Sequence, residues 1–210
     1  MAGTRLLRRG LAGLVLAMAL GAMPATASAD GISLGLDGCP ARTTEHPFAR
    51  WLDWSNYTLV PGGTFEGSLS GWKLAGGAKV VAGNETFNAH GAGETHALSL
   101  PSGSSATTPP MCVAVLDPTL RYFAANDGGL LSLLTVQILY YPPGGGVLVL
   151  PLGLNLGGKQ WAPSLPTIVA ADLLGVLNGG KAQVAFRFTP TGLGAKWRID
   201  DVYVDPRASH

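Results

Sequence analysis

From Tyr57 onward, short apolar runs are separated by clusters of Gly, Pro, Ser and Asn at intervals of about ten residues, and the clearest runs alternate with period two. In the segment Lys181–Thr189, Ala182, Val184, Phe186 and Phe188 fall on one face and Gln183, Arg187 and Thr189 on the other, as in a strand with one buried side. Leu134, Val136, Ile138 and Tyr140 repeat the pattern, opposed by Thr135, Gln137 and Tyr141. That run stops at Pro142-Pro143-Gly144-Gly145-Gly146 and resumes over Val147–Leu152, which predicts a hairpin around a glycine-rich turn. Further strands are predicted over Tyr57–Val60, Trp72–Leu74, Ala78–Val81, His96–Leu100, Met111–Val115, Thr119–Ala124 and Trp197–Val204. The segment Ile168–Leu177 fits either a short helix stopped by Asn178-Gly179-Gly180 or an extended run. The spacing as a whole predicts an all-β, antiparallel sandwich or barrel.

The N-terminus follows a different rule. Arg5, Arg8 and Arg9 precede an apolar run from Leu11 to Leu20 and the small-residue stretch Ala27-Ser28-Ala29, the layout of a secretory signal peptide. The run is shorter than the roughly 20 residues a membrane span needs. Residues 1–29 are thus expected to be a signal, 30–56 an irregular aromatic arm holding Pro40, Pro47, Phe48, Trp51 and Trp54, and 57–210 one sandwich domain. The expected location is extracellular, with no membrane contact once the signal is removed.

Composition narrows the class. Of 210 residues, 47% are hydrophobic and 13% charged, which suits a packed globular core and excludes disorder. The formal net charge of +1 lacks the cationic excess that nucleic-acid binding requires. Removing the signal leaves 11 basic against 13 acidic residues. In an oxidising compartment the only two cysteines, Cys39 and Cys112, are expected to pair, stapling the arm to the domain.

Two stretches carry a family likeness. Leu59-Val60-Pro61-Gly62-Gly63-Thr64-Phe65-Glu66-Gly67 with Gly71-Trp72, and the closing strand Trp197-Arg198-Ile199-Asp200-Asp201-Val202-Tyr203-Val204, resemble the opening and the last strand of galactose-binding-like jelly rolls of the carbohydrate-binding-module type. The resemblance implies a jelly-roll sandwich, a carbohydrate ligand, and a structural calcium near Glu66 and Asp200 or Asp201, oxygen ligands of the hard type calcium prefers. Alternation places Asp200 on the inward face with Val202 and Val204 and Asp201 on the opposite one. The alternative for Asp200 and Glu66 is backbone hydrogen bonding or pairing with Lys or Arg, without metal. The whole chain is also similar to a group of secreted actinobacterial proteins through the stretch 102–112 and the Trp-x-Ile-Asp-Asp-Val-Tyr-Val-Asp-Pro ending, which implies relatives and no activity.

For a ligand, the outward positions Gln137, Tyr141, Gln183 and Arg187 are candidates to line one sheet face, with Trp161 as an additional stacking residue and Trp51 and Trp54 as further exposed aromatics. No nucleophile, base and orienting group recur at a recognisable spacing, so a non-catalytic protein is expected. The competing expectation is a cell-envelope or extracellular protein whose sandwich serves structure or protein contacts.

Overall fold

The computed structural model describes residues 39–114, 119–169 and 181–205. The signal-peptide expectation and most of Ile168–Leu177 lie outside them, apart from Ile168 and Val169. The described chain is almost entirely β: β1 Thr58–Leu59, β2 Lys73–Ala75, β3 Lys79–Ala82, β4 His96–Pro101, β5 Ser105–Thr107, β6 Met111–Ala114, β7 Thr119–Asn126, β8 Leu133–Tyr141, β9 Leu148–Asn155, β10 Ala162–Pro163, β11 Thr167–Ile168, β12 Lys181–Thr191 and β13 Lys196–Asp205. A single 3-10 turn, Ala49–Trp51, interrupts the arm. Among the described residues no helix is long and apolar enough to cross a membrane.

All pairings are antiparallel and form two sheets. The first runs β10-β7-β13-β4-β3, with β1 beside β13 and β11 beside β7; the second runs β2-β5-β12-β8-β9, with β6 beside β12. The period-two runs explain why the sheets stack. Val184, Phe186 and Phe188 of β12 and Val136 and Ile138 of β8 meet Leu98 and Leu100 of β4 and Trp197 and Ile199 of β13 in one apolar core. The protein is an antiparallel β-sandwich of jelly-roll type. Every strand predicted within the described residues is present within three residues of its expected limits, and the Pro142–Gly146 hairpin pairs Tyr140 with Leu148.

The glycines of the opening motif have a packing reason. A Cβ on Gly63 would lie 2.8 Å from the Val60 carbonyl oxygen and 2.9 Å from that of Val202. Close approach is needed there because the Val60 N–H donates to the Val202 carbonyl and the Val202 N–H to the Gly63 carbonyl, while the Gly63 N–H donates to Val60. The Trp72 indole N–H donates to Pro61 (2.8 Å), and its ring packs against Phe65 at 5.1 Å, so both aromatics of this motif are core.

The arm is fixed at two places. Cys39 and Cys112 form a disulfide with Cα atoms 5.7 Å apart, tying the arm to β6 of the second sheet. Phe48 then lies against Phe123 of β7 and Tyr203 of β13 on the outer face of the first sheet, with Tyr57 closing the cluster. The Arg121 guanidinium sits 4.0 Å from the Phe48 ring centre, donates to the Ser164 carbonyl, and pairs with Asp53 at 2.5 Å. Burial alone would raise the Asp53 pKa, but hydrogen bonds from Tyr57, Ser55 and Arg121 outweigh it and the net shift is downward.

Alternation fails at one place, in β13. Its register with β7 slips between Asp200 and Tyr203, a bulge in which one extra residue is accommodated, and Asp201 there has φ +46°. Trp197 and Ile199 face the core before the bulge, Val202 and Val204 after it. Asp200 therefore does not share the inward face of Val202 and Val204, contrary to simple alternation. It pairs across the ladder with Phe123 and belongs to the outer, arm-covered side.

Candidate functional site

Two regions bring together the residues singled out from sequence. The first is the outer face of the second sheet. The β8–β12 register places Gln137 opposite Arg187 and Tyr141 opposite Gln183, and directly paired residues of an antiparallel ladder share a face. Gln183 is exposed, and Gln137, Tyr141 and Arg187 are half-buried. The row extends sideways: Arg187 also pairs with Thr107, which pairs with Lys73, while Gln137 pairs with Pro151. Arg187 Nε lies 3.4 Å from Thr107 Oγ1, a weak contact that leaves most of its fork free to donate. A half-buried polar row with one aromatic is a surface on which a sugar ring can stack and hydrogen bond.

Trp161 is not part of this face. It lies on the first sheet's side, packed against the Phe48–Phe123 cluster, with the Arg198 guanidinium 5.0 Å from its ring. Trp51 is likewise taken up in that cluster, edge-on to Phe87 at 4.9 Å. Trp54 is 68% exposed. It borders a cleft of about 1090 Å³ between the arm and the β10–β11 connection, with Trp51, Tyr57, Arg121, Ser164 and Leu165 among its walls. Sequence gave no way to see this cleft, because its walls come from segments over a hundred residues apart.

The second region is a buried acidic cluster at the β13 bulge. Asp200 and Asp201 are both 0% exposed. Asp200 accepts backbone N–H groups from Glu85 (3.0 Å) and Asp201 (2.9 Å), one on each oxygen. Neither Asp201 oxygen has a hydrogen-bond partner of normal geometry, although the His90 backbone N–H approaches closely enough to favour the ionised form slightly. Burial, and then repulsion from Asp201, pushes the Asp200 pKa up to about 9. Burial, followed by repulsion from Glu94 and Glu85, pushes Asp201 up to about 8. Glu94 is also raised, mainly by burial, and its Oε2 and the Asn84 side-chain amide are buried without partners. The bulge thus gathers carboxylates that alternation would have sent to opposite faces.

Glu66 stands apart from this set. Its carboxylate accepts the backbone N–H groups of Thr95 and His96 and lies 2.9 Å from His96 Nδ1; burial raises its pKa, but the contacts with His96 and Thr95 together outweigh it and the net shift is downward. The hydrogen-bonded alternative is realised for Glu66 and Asp200, and the unmet demand rests on Asp201, Glu94 and Asn84. Glu85 and Glu94 were not anticipated, because nothing in their sequence context marks them as buried. Among the described residues no three His, Cys, Asp or Glu side chains form a ready ligand cage.

No family model matches the chain and no curated protein matches it by sequence, so the likeness to secreted actinobacterial proteins has no support from them. Solved structures do match. A Clostridium thermocellum endo-1,4-beta-D-xylanase 10B fragment with CBM22-1 and GH10 modules, complexed with xylohexaose, superposes with a TM-score of 0.51 and 13% identity over 70% of this chain and 28% of that one. The chain thus spans little more than a quarter of that protein's length. The CBM22-1 xylan-binding domain of Paenibacillus barcinonensis Xyn10C gives 0.47 at 12% identity over 69% and 91% of the two chains. TmCBM61 in complex with beta-1,4-galactotriose gives 0.43 at 19% identity over 70% and 96%. The first match is a likeness of fold, and the other two superpose more loosely. The fold is that of the β-sandwiches to which carbohydrate-binding modules belong.

Proposed function

We propose that the protein is a secreted, non-catalytic carbohydrate-binding module whose site is the outer face of the second sheet, at Gln137, Tyr141, Gln183 and Arg187. The observation that carries this is the β8–β12 register, which sets an aromatic, two amides and a guanidinium in two cross-strand pairs on one face, with the buried Leu139–Ala185 pair between them. A fold shared with a xylanase fragment complexed with xylohexaose supports the reading, but fold alone does not dictate function. Asp200 and Asp201 are fully buried and out of reach of any substrate, which fits a non-catalytic role for that pair. The disulfide fits an oxidising, extracellular location.

A second reading places the sugar in the Trp54 cleft, favoured by the exposure of that indole beside the Arg121 and Ser164 floor. A glycan array on the mature protein separates the two. Loss of binding in Tyr141→Ala and Arg187→Ala, with Trp54→Ala unaffected, supports the sheet face; the reverse pattern supports the cleft. No binding to any glycan supports a structural or protein-interaction role in the cell envelope.

Calcium is the cofactor proposed, held at the β13 bulge. What supports it is that Asp201 offers two buried oxygens without hydrogen-bond partners of normal geometry and that the Glu94 carboxylate, with one buried unpartnered oxygen, lies near enough to repel it. Asp200, with both oxygens engaged by backbone N–H groups, would orient the loop, and Glu66 would stay with Thr95 and His96. A bound cation would let the cluster remain ionised and hold the 84–94 segment to β13. The readout is the melting temperature, which rises with calcium and falls with chelator if the folded state alone binds the ion; identical curves contradict the proposal.

A further inference from the structure

Charge is divided unevenly between the two sheets. Strands β2, β5, β6, β8, β9 and β12 contain Lys73, Lys181 and Arg187 and not one Asp or Glu, whereas the strands of the other sheet carry both signs, Lys79, Arg121, Lys196 and Arg198 beside Asp200, Asp201 and Asp205. The four ion pairs found among the described residues join His90 to Glu45, His96 to Glu66, Arg121 to Asp53 and Arg198 to Asp127. All of them involve the first sheet or the loops and arm beside it, and none engages Lys73 or Arg187.

Those two cations share a line across the face. Lys73 pairs with Thr107, Thr107 with Arg187 and Arg187 with Gln137, so four neighbouring strands present Lys, Thr, Arg and Gln side by side. One strand separates the cations, which puts their backbones about 10 Å apart at the usual inter-strand spacing, on the scale of a disaccharide repeat. Arg187 is half-buried on this face and meets a threonine hydroxyl rather than a carboxylate. A guanidinium partly withdrawn from water and left without an anion favours a ligand that brings one, and its planar fork matches a carboxylate in bidentate geometry.

We propose that this face selects a polysaccharide bearing uronic-acid carboxylates, with Arg187 receiving one carboxylate, Lys73 a second one further along the chain, and Gln137, beside Arg187 on the same line, contacting a sugar hydroxyl. The proposal rests on the carbohydrate reading above and adds the charge class of the ligand. It makes binding weaken as salt rises, because partly exposed charges are screened over about 8–10 Å at physiological ionic strength.

The test compares uronic-acid polymers with their carboxyl-reduced counterparts, which keep the backbone and lose the charge. The expected result is that reduction of the polymer weakens binding about tenfold or more, the value of one charge-assisted hydrogen-bonded contact. Arg187→Gln should remove most of that preference and Lys73→Gln part of it, with unchanged melting temperatures showing that the fold is intact. Equal affinity for the native and reduced polymers overturns the proposal while leaving the carbohydrate reading standing, as does a preference that survives both substitutions. No binding to either kind of polymer overturns the proposal, and the carbohydrate reading falls with it only where the glycan array is blank as well.

Discussion

Asp201 is the residue whose surroundings are least compensated. It is fully buried, occupies the left-handed region, and has neither of its oxygens paired at normal geometry, while Glu94 and Glu85 repel its charge. Asparagine tolerates positive φ as well as aspartate does, so Asp201→Asn removes charge with little change in shape. In metal-free buffer at pH 8 this variant is expected to melt higher than the parent, because a buried charge and its repulsions are gone. In calcium the order should reverse if the proposed ion is held there, because the variant loses one of the carboxylates proposed to hold it. Thermal melts of both proteins, with chelator and with calcium, check the crossing. A variant that responds to calcium as the parent does would assign the ion elsewhere or remove it.

On the scale of elements, the arm and the sandwich are parts of one compact unit, and the arm's anchors can be weighed separately. The Cys39–Cys112 bridge closes a loop with a sequence separation of 73, worth about 4 kcal/mol in the chain-entropy account. Reduction should lower the urea midpoint correspondingly, without changing the strand content seen by circular dichroism. Phe48 is fully buried among Tyr57, Phe123 and Tyr203, so Phe48→Ala is expected to cost about 3–5 kcal/mol, measured by the same denaturation. Strands with strict alternation, such as β8 and β12, were legible because burial on one side imposes period two. The short strands β5, β10 and β11 were not: Ser105–Thr107 is small and polar, and Ala162–Pro163 and Thr167–Ile168 are too brief to show a period. The bulge was illegible because a one-residue slip leaves no mark in Ile199-Asp200-Asp201-Val202 except a pair of charges whose meaning depends on what covers them. Of the expected metal residues Glu66, Asp200 and Asp201, that slip leaves Asp201 with the unpartnered oxygens and brings Glu94 near it.

For the whole molecule, the buried carboxylates set how stability varies with pH. Asp200 and Asp201 titrate near 9 and 8 in the folded protein, against 3.8 as reference. Between those values the folded state holds protons that the unfolded chain has released. The stabilisation is therefore complete below about pH 4 and is lost progressively as pH rises toward 8 to 9. Without metal, the melting temperature should fall over pH 5–9; with calcium bound, the fall should flatten, and binding should release protons that calorimetry in buffers of different ionisation enthalpy detects. A flat profile in chelator would show that the cluster is ionised and compensated by other means.

At this scale the shared face of Gln137, Tyr141, Gln183 and Arg187 was legible in outline, since alternation alone assigns them to the outward side of two strands. Their mutual register, and the addition of Lys73 and Thr107 to the row, depend on pairing between strands distant in sequence. Trp161 was misplaced for the same reason, as its neighbour Arg198 lies in a strand of the other sheet. The central claim is that the outer face of β8 and β12 binds carbohydrate, and the most direct measurement is backbone amide NMR during titration with an oligosaccharide that the array identifies. Shifts concentrated at Thr107, Gln137, Tyr141, Gln183 and Arg187, with those around Trp54 unchanged, are the result expected. Shifts confined to Trp54, Arg121 and Ser164, or no shifts at saturating sugar, would contradict the account.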